Sequence, residues 1–272
     1  MRKLFSVASA LLLAGCMSSN VNLEGPRVIS VDGTASPAGT VLKANMNGLV
    51  GMTGPSYVTV IVNEAQKHSR NNSDILPDAV TSGSGFVVDG NGHVMTAGHV
   101  AVAAGYTVDA RGADGRLYRG KVVAVSKSPD MALIQLSGLT GTPGTVASTP
   151  RLGQGAAVFS LGKPHAQGDT ARIGTLEAMS FGRAVSYTGF GYPDAMVLRM
   201  STRKGESGGP LFNARGELTG MVVSTLSDGN GRPLNLAHAL PSPDIAKFLC
   251  DNISCSQQWR AVIGIDIKRC PT

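Results

Sequence analysis

Three short segments hold residue types suited to acyl-transfer chemistry. Thr96-Ala97-Gly98-His99-Val100 offers an imidazole, Ser128-Pro129-Asp130-Met131-Ala132-Leu133 a carboxylate, and Gly205-Glu206-Ser207-Gly208-Gly209-Pro210 an alcohol set among glycines. A serine hydroxyl is a poor nucleophile at neutral pH and needs a base within hydrogen-bond reach. An imidazole titrates near neutrality, so it can take that proton and return it to a leaving amine. A carboxylate on the other ring nitrogen fixes the tautomer and stabilises the imidazolium. Two glycines after a serine weaken a strand interior, so they ask for a different reason.

Taken together and in the order His, Asp, Ser, these segments resemble the trypsin-like (chymotrypsin-fold) serine proteases, and within them the bacterial Deg/Htr-type branch. The resemblance runs over about residues 80–245 and takes in Ser82-Gly83-Ser84-Gly85-Phe86 and Gly216-Glu217-Leu218-Thr219-Gly220. It implies His99, Asp130 and Ser207 as a catalytic triad, with the amides of Gly205 and Ser207 as the oxyanion hole. Each such donor contributes on the order of 3 kcal/mol to the transition state. Activity is then expected to fall as acid protonates the imidazole. The same resemblance places Ser201, Thr225 and His238 around a specificity pocket. Ser201 stands where a carboxylate would anchor Lys or Arg, so trypsin-like specificity is disfavoured; whether the pocket is polar or apolar stays open. Position 206 is Glu, where digestive relatives carry an Asp that pairs with a freshly cut N-terminal amine. No zymogen cleavage of that kind is expected here. After Leu240 only 32 residues follow, too few for the PDZ domain usual in the Deg/Htr branch.

Residue types along the chain set the elements that must carry this site. With 272 residues, 42% hydrophobic and 15% charged, the chain has ample material for a core and little tendency to disorder. Its 35 Gly and 14 Pro argue against a helical bundle and for many short strands. Strands are expected at 57–62, 85–89, 93–96, 106–110, 118–126 and 132–137. After a Gly- and Pro-rich boundary at 138–155, a second series follows at 156–161, 171–180, 196–200, 209–212, 218–224 and 236–240. Asp89-Gly90-Asn91-Gly92 is a hairpin signal, and Ser242-Pro243-Asp244 a helix start. The fold class is all-β: two antiparallel six-stranded β-barrels, chymotrypsin-like, with a short C-terminal helix. No repeat of 20–50 residues is visible.

The N-terminus reads as an address. Arg2 and Lys3 precede an apolar run to Ala14, too short to span a bilayer. Leu13-Ala14-Gly15-Cys16 resembles the lipobox of bacterial lipoproteins, which implies cleavage before Cys16 and its acylation. Met17 after the cysteine implies the outer membrane. The domains are thus a signal peptide (1–15), a membrane tether (16–53), a protease domain (54–245) and a C-terminal helix with a cysteine-containing tail (246–272). Loss of Arg2 and Lys3 lowers the net charge from +6 to +4, spread without a basic run, and nucleic-acid binding lacks its electrostatic footprint. Cys250, Cys255 and Cys270 allow one structural disulfide in an oxidising compartment, with the pairing left open. Their spacing suits no zinc site, and neither a metal nor a cofactor is expected.

The expected activity is that of a serine endopeptidase acting through an acyl-enzyme on envelope proteins or unfolded polypeptide. The partners are then a polypeptide substrate and, through lipid, the membrane; the oligomeric state stays open. The competing readings are a non-catalytic binding or chaperone module on the same fold and an esterase of small substrates.

Overall fold

The computed structural model describes residues 27–64 and 79–264, apart from 34, 35, 140, 150, 166 and 229. The signal peptide, Cys16, His68 and Cys270 lie outside the described residues.

A run of β-branched and aromatic residues opens the first barrel at β2 (Tyr57–Asn63), where Tyr57, Val58, Val60 and Val62 are buried. It continues through β3 (Ala79–Val87), β4 (His93–Thr96), β5 (Thr107–Arg111), β6 (Leu117–Ser126) and β7 (Met131–Leu136). These close in the order β2-β3-β4-β7-β6-β5, antiparallel at every described pairing. The expected turn joins β3 to β4: Asp89 accepts bonds from the amides of Asn91 (2.9 Å) and His93 (3.1 Å) and from the His93 ring (2.6 Å). His93 is thereby a turn fastener.

Residues 137–156 cross to the second barrel with a single isolated bridge, Val146 to Leu218. That barrel is built from β8 (Ala157–Gly162), β9 (Thr170–Ala178), β12 (Met196–Arg199), β13 (Pro210–Asn213), β14 (Leu218–Ser227) and β15 (Pro233–Pro241). They run β9-β12-β15-β14-β13-β8, and β8 pairs back to β9 to close the ring. A small cluster of Val158, Leu176, Met196, Leu198, Leu211, Ala237 and Ala239 fills one core. The larger core takes in the first barrel and the packing between elements. The two closed six-stranded barrels match the architecture expected from sequence.

Four features exceed that expectation. A hairpin of β10 (Val185–Tyr187) and β11 (Phe190–Tyr192) stands apart from both barrels. A one-turn helix α3 (Gly98–Ala101) carries His99. Helix α4 (Ser242–Asn252) is followed by α5 (Gln257–Val262), pinned by the Cys250–Cys255 disulfide. The fourth feature is the N-terminal segment, read from sequence as a tether to residue 53. Its described part forms β1 (Ser30–Asp32) and helices α1 (Pro37–Ala44) and α2 (Met46–Thr53). Ser36 caps α1 by accepting from the Gly39 amide (3.0 Å), and Leu42, Met46 and Leu49 are buried against the barrels. The apolar side chains there are too widely spaced by Gly and Asn for the helical period to stand out in sequence.

Candidate active site

Each barrel supplies part of the site. Asp130 sits just before β7 with no exposed surface, and His99 follows β4. His99 Nδ1 lies 2.6 Å from Asp130 Oδ2, and the His99 amide donates to Asp130 Oδ1 at 2.8 Å. A carboxylate only accepts, so in the neutral ring this contact selects the tautomer with the proton on Nδ1 and the lone pair on Nε2. Tyr187 of the β10–β11 hairpin donates its hydroxyl to the same Asp130 Oδ2. Burial, then the neighbouring Asp130, pushes the Tyr187 phenol well above its ordinary range, so it stays a donor. The rings of Tyr187 and His99 meet edge to face at 5.6 Å. Nothing in the sequence around Tyr187 marked it; the hairpin is three residues a side and its partner strand is not a barrel strand.

Ser207 lies in the turn before β13. Its carbonyl accepts from the Ser84 amide (2.9 Å), and the Ser84 carbonyl accepts from Thr96 Oγ1 (2.7 Å). Ser84 of β3 thus joins the serine turn to the strand that leads to His99. The Ser207 hydroxyl itself donates to the Val223 carbonyl at 3.2 Å. Gly205 has φ +95°, a left-handed backbone, and a Cβ there would lie 2.3 Å from the Lys163 carbonyl oxygen. Its carbonyl is held by Ser84 Oγ at 2.8 Å. Among the described residues no group accepts from the amides of Gly205 or Ser207. The residue between them is occupied: the Glu206 amide donates to the Arg203 carbonyl at 3.1 Å.

The Glu206 side chain is buried and ion-paired with Arg172 of β9, with Nε to Oε1 at 2.7 Å, and Oε2 accepts from the Arg203 amide at 2.5 Å. Burial raises the Glu206 carboxyl above its ordinary range, while Arg172 and the Arg203 amide oppose the rise. The sequence marked Glu206 as a departure and did not identify its partner.

Of the three pocket residues expected from sequence, Thr225 and His238 lie on adjacent rungs of one strand pair. Thr225 pairs with Ala237 in the β14–β15 ladder, and Ser224 with His238. Cross-strand partners share a face and neighbours alternate, so Thr225 and His238 point to opposite faces. Thr225 Oγ1 meets Thr202 Oγ1 at 2.6 Å, while Ser201, next to Thr202, is exposed. His238 is buried: Nδ1 lies 2.7 Å from the Tyr192 hydroxyl, which also meets Ser224 Oγ at 2.7 Å. Phe181 packs on its ring at 4.4 Å between centroids. Burial lowers the His238 pKa to about 4, so the ring is neutral at pH 7. His165, between β8 and β9, meets Ser82 Oγ at 3.1 Å. No group of three or more metal-ligating side chains occurs among the described residues.

Comparison with known proteins agrees with this geometry. The Trypsin-like peptidase domain family matches residues 83–221, just over half of the chain. The "Probable periplasmic serine protease do/HhoA-like" of Haemophilus influenzae is 30% identical over 188 residues, covering 67% of this chain and 39% of that protein. "Serine endoprotease DegS" of Salmonella typhimurium is 29% identical over 225 residues, covering 82% and 61%. The chain therefore spans less than two thirds of the length of these curated relatives. The Rv3671c protease from M. tuberculosis, in its active form, superposes with a TM-score of 0.63 at 26% identity, covering 86% of this chain and 93% of that one. The chain belongs to the trypsin-like peptidase family, in its Deg-type serine protease branch.

Proposed function

We propose that the chain is a serine endopeptidase of the bacterial cell envelope, cleaving exposed or unfolded polypeptide through an acyl-enzyme at Ser207. The observation that carries this reading is the Asp130–His99 pair, with Nδ1 committed to Asp130 and Nε2 left as base. Ser207 Oγ exchanges its bond to Val223 for one to His99 Nε2 by side-chain rotation when substrate enters. Oγ then attacks the scissile carbonyl carbon while its proton passes to Nε2. The amides of Gly205 and Ser207 receive the oxyanion. Collapse breaks the C–N bond, and the proton on Nε2 goes to the leaving amine. Water, activated by the same nitrogen, hydrolyses the ester and restores Ser207.

Periplasmic relatives support an envelope setting, and Cys16 is the proposed site of lipid attachment, facing the protein to the periplasm from the outer membrane. A serine-directed phosphonate is expected to label the wild-type protein, and Ser207→Ala to abolish the label. The Ser207–Val223 bond favours one second reading, a binding module with an idle serine; a wild-type chain refractory to the phosphonate would establish that reading and end the protease one.

A further inference from the structure

The oxyanion loop is tied to the N-terminal strand by a chain of charges, and this inference rests on the proteolytic reading above. Glu206 lies between the two amides that face the oxyanion, so where its side chain is held decides where those amides point. The pocket it enters is built for it. A Cβ at Gly162 would come within 2.9 Å of Glu206 Cγ, so only glycine leaves the room. A carboxylate buried there without a partner is costly, and Arg172 offsets that cost.

Arg172 is itself 3% exposed and holds two anions. Nε serves Glu206, and Nη1 serves Asp32 Oδ2. Nη2 has no partner among the described residues, so the guanidinium depends on these two carboxylates. Asp32 belongs to β1, which runs parallel to β9 with Asp32 opposite Arg172. The strand is seated by the Ser30 amide on the Asp169 carbonyl (2.9 Å) and by Gly33, with φ +96°, whose missing Cβ would stand 2.4 Å from the Ile173 carbonyl oxygen. β1 is three residues long, and the Asp32 side chain is 58% exposed. A short exposed edge strand opens more readily than the barrel it borders.

We infer that Arg172 is a positioning residue for the oxyanion hole, and that docking of β1, through Asp32, sets how well that hole is ordered. Withdrawing Asp32 leaves Arg172 buried with one anion and two unmet donors. The guanidinium then shifts toward solvent and draws Glu206 with it, taking the Gly205 and Ser207 amides off their common point. An internal arginine answerable to an N-terminal strand thereby does the work that a free amine would do.

The test uses the full chain with Asp32→Asn, Asp32→Glu and Arg172→Gln. A peptide aldehyde, whose tetrahedral adduct needs the oxyanion hole, is compared with a product peptide, which does not. Asp32→Asn is expected to weaken the aldehyde and lower kcat about tenfold, with KM and product affinity unchanged, and Asp32→Glu to restore both. Arg172→Gln is expected to cost about a hundredfold. Because that variant leaves a buried carboxylate unpaired and can misfold, the exposed Asp32 pair decides. Amide hydrogen exchange adds a readout free of activity: in Asp32→Asn, residues 203–207 exchange faster while β7 is unchanged. Parental kinetics or parental loop exchange in Asp32→Asn overturns the coupling. A wild-type chain that never reacts with phosphonate sinks the proteolytic reading instead, and the exchange measurement alone then decides the coupling.

Discussion

Asp130 in the first barrel and Glu206 in the second are both buried carboxylates beside the reacting groups, yet they are satisfied in opposite ways. Asp130 takes the His99 amide, the His99 ring and the Tyr187 hydroxyl, none of them a permanent charge. Glu206 takes a guanidinium from β9 that is itself shared with β1. The first arrangement leaves Asp130 able to answer a positive charge that comes and goes on the imidazole. The second meets a buried, titratable carboxylate with a guanidinium, whose charge is permanent. In the proposed mechanism the first carboxylate serves the proton and the second serves geometry.

Substitutions can break that contrast. The largest loss is expected from Asp130→Asn, which presents a donor to Nδ1 and reverses the tautomer; kcat should drop by about 10⁴ with protein folding intact by circular dichroism. Gly205→Ala forces a side chain against the Lys163 carbonyl and the left-handed backbone. A loss in kcat of about 10² or more is expected, read in the acylation rate with a chromogenic ester. Tyr187→Phe removes one of three donors and leaves the ring; about a tenfold fall in kcat with little change in KM would separate positioning from substrate contact. If Tyr187→Phe cost as much as Asp130→Asn, the hairpin would belong to the machinery itself.

The smallest effect on catalysis belongs to His238, which sharpens the contrast from outside the triad. Its folded pKa of about 4 lies below the ordinary imidazole value of 6.5, so between these values it is neutral when folded and takes a proton first when unfolded. Its contribution to stability is whole above pH 6.5 and is lost as pH falls toward 4. The shift corresponds to about 3 kcal/mol. His238→Gln should flatten the fall of the melting temperature between pH 6.5 and 4; an unchanged slope would show that other groups cause it.

The barrels were legible because their strands are β-rich and bounded by Gly and Pro, and β7 came within one residue of its observed limits. The Asp130–His99 pair was legible because the chemistry demands those types. Tyr187 and Arg172 were not, since each acts through a long-range contact: Tyr187 lies 57 residues from Asp130, and Arg172 lies 34 from Glu206. Thr225 and His238 fell on opposite faces because strand alternation, shifted by a register irregularity between Val222 and Ser224, decides facing, and sequence does not show that shift.

Asp169, just ahead of β9, bonds across the seam to Arg111, Tyr57 and Thr59 of the first barrel, with the Arg27 guanidinium 4.0 Å away. One carboxylate thus bolts the two barrels together three residues before the arginine that pairs with Glu206. Its loss would unfasten the seam and leave the buried Arg111 guanidinium without its carboxylate partner. Engineering of the loops around the candidate site should therefore spare Asp169.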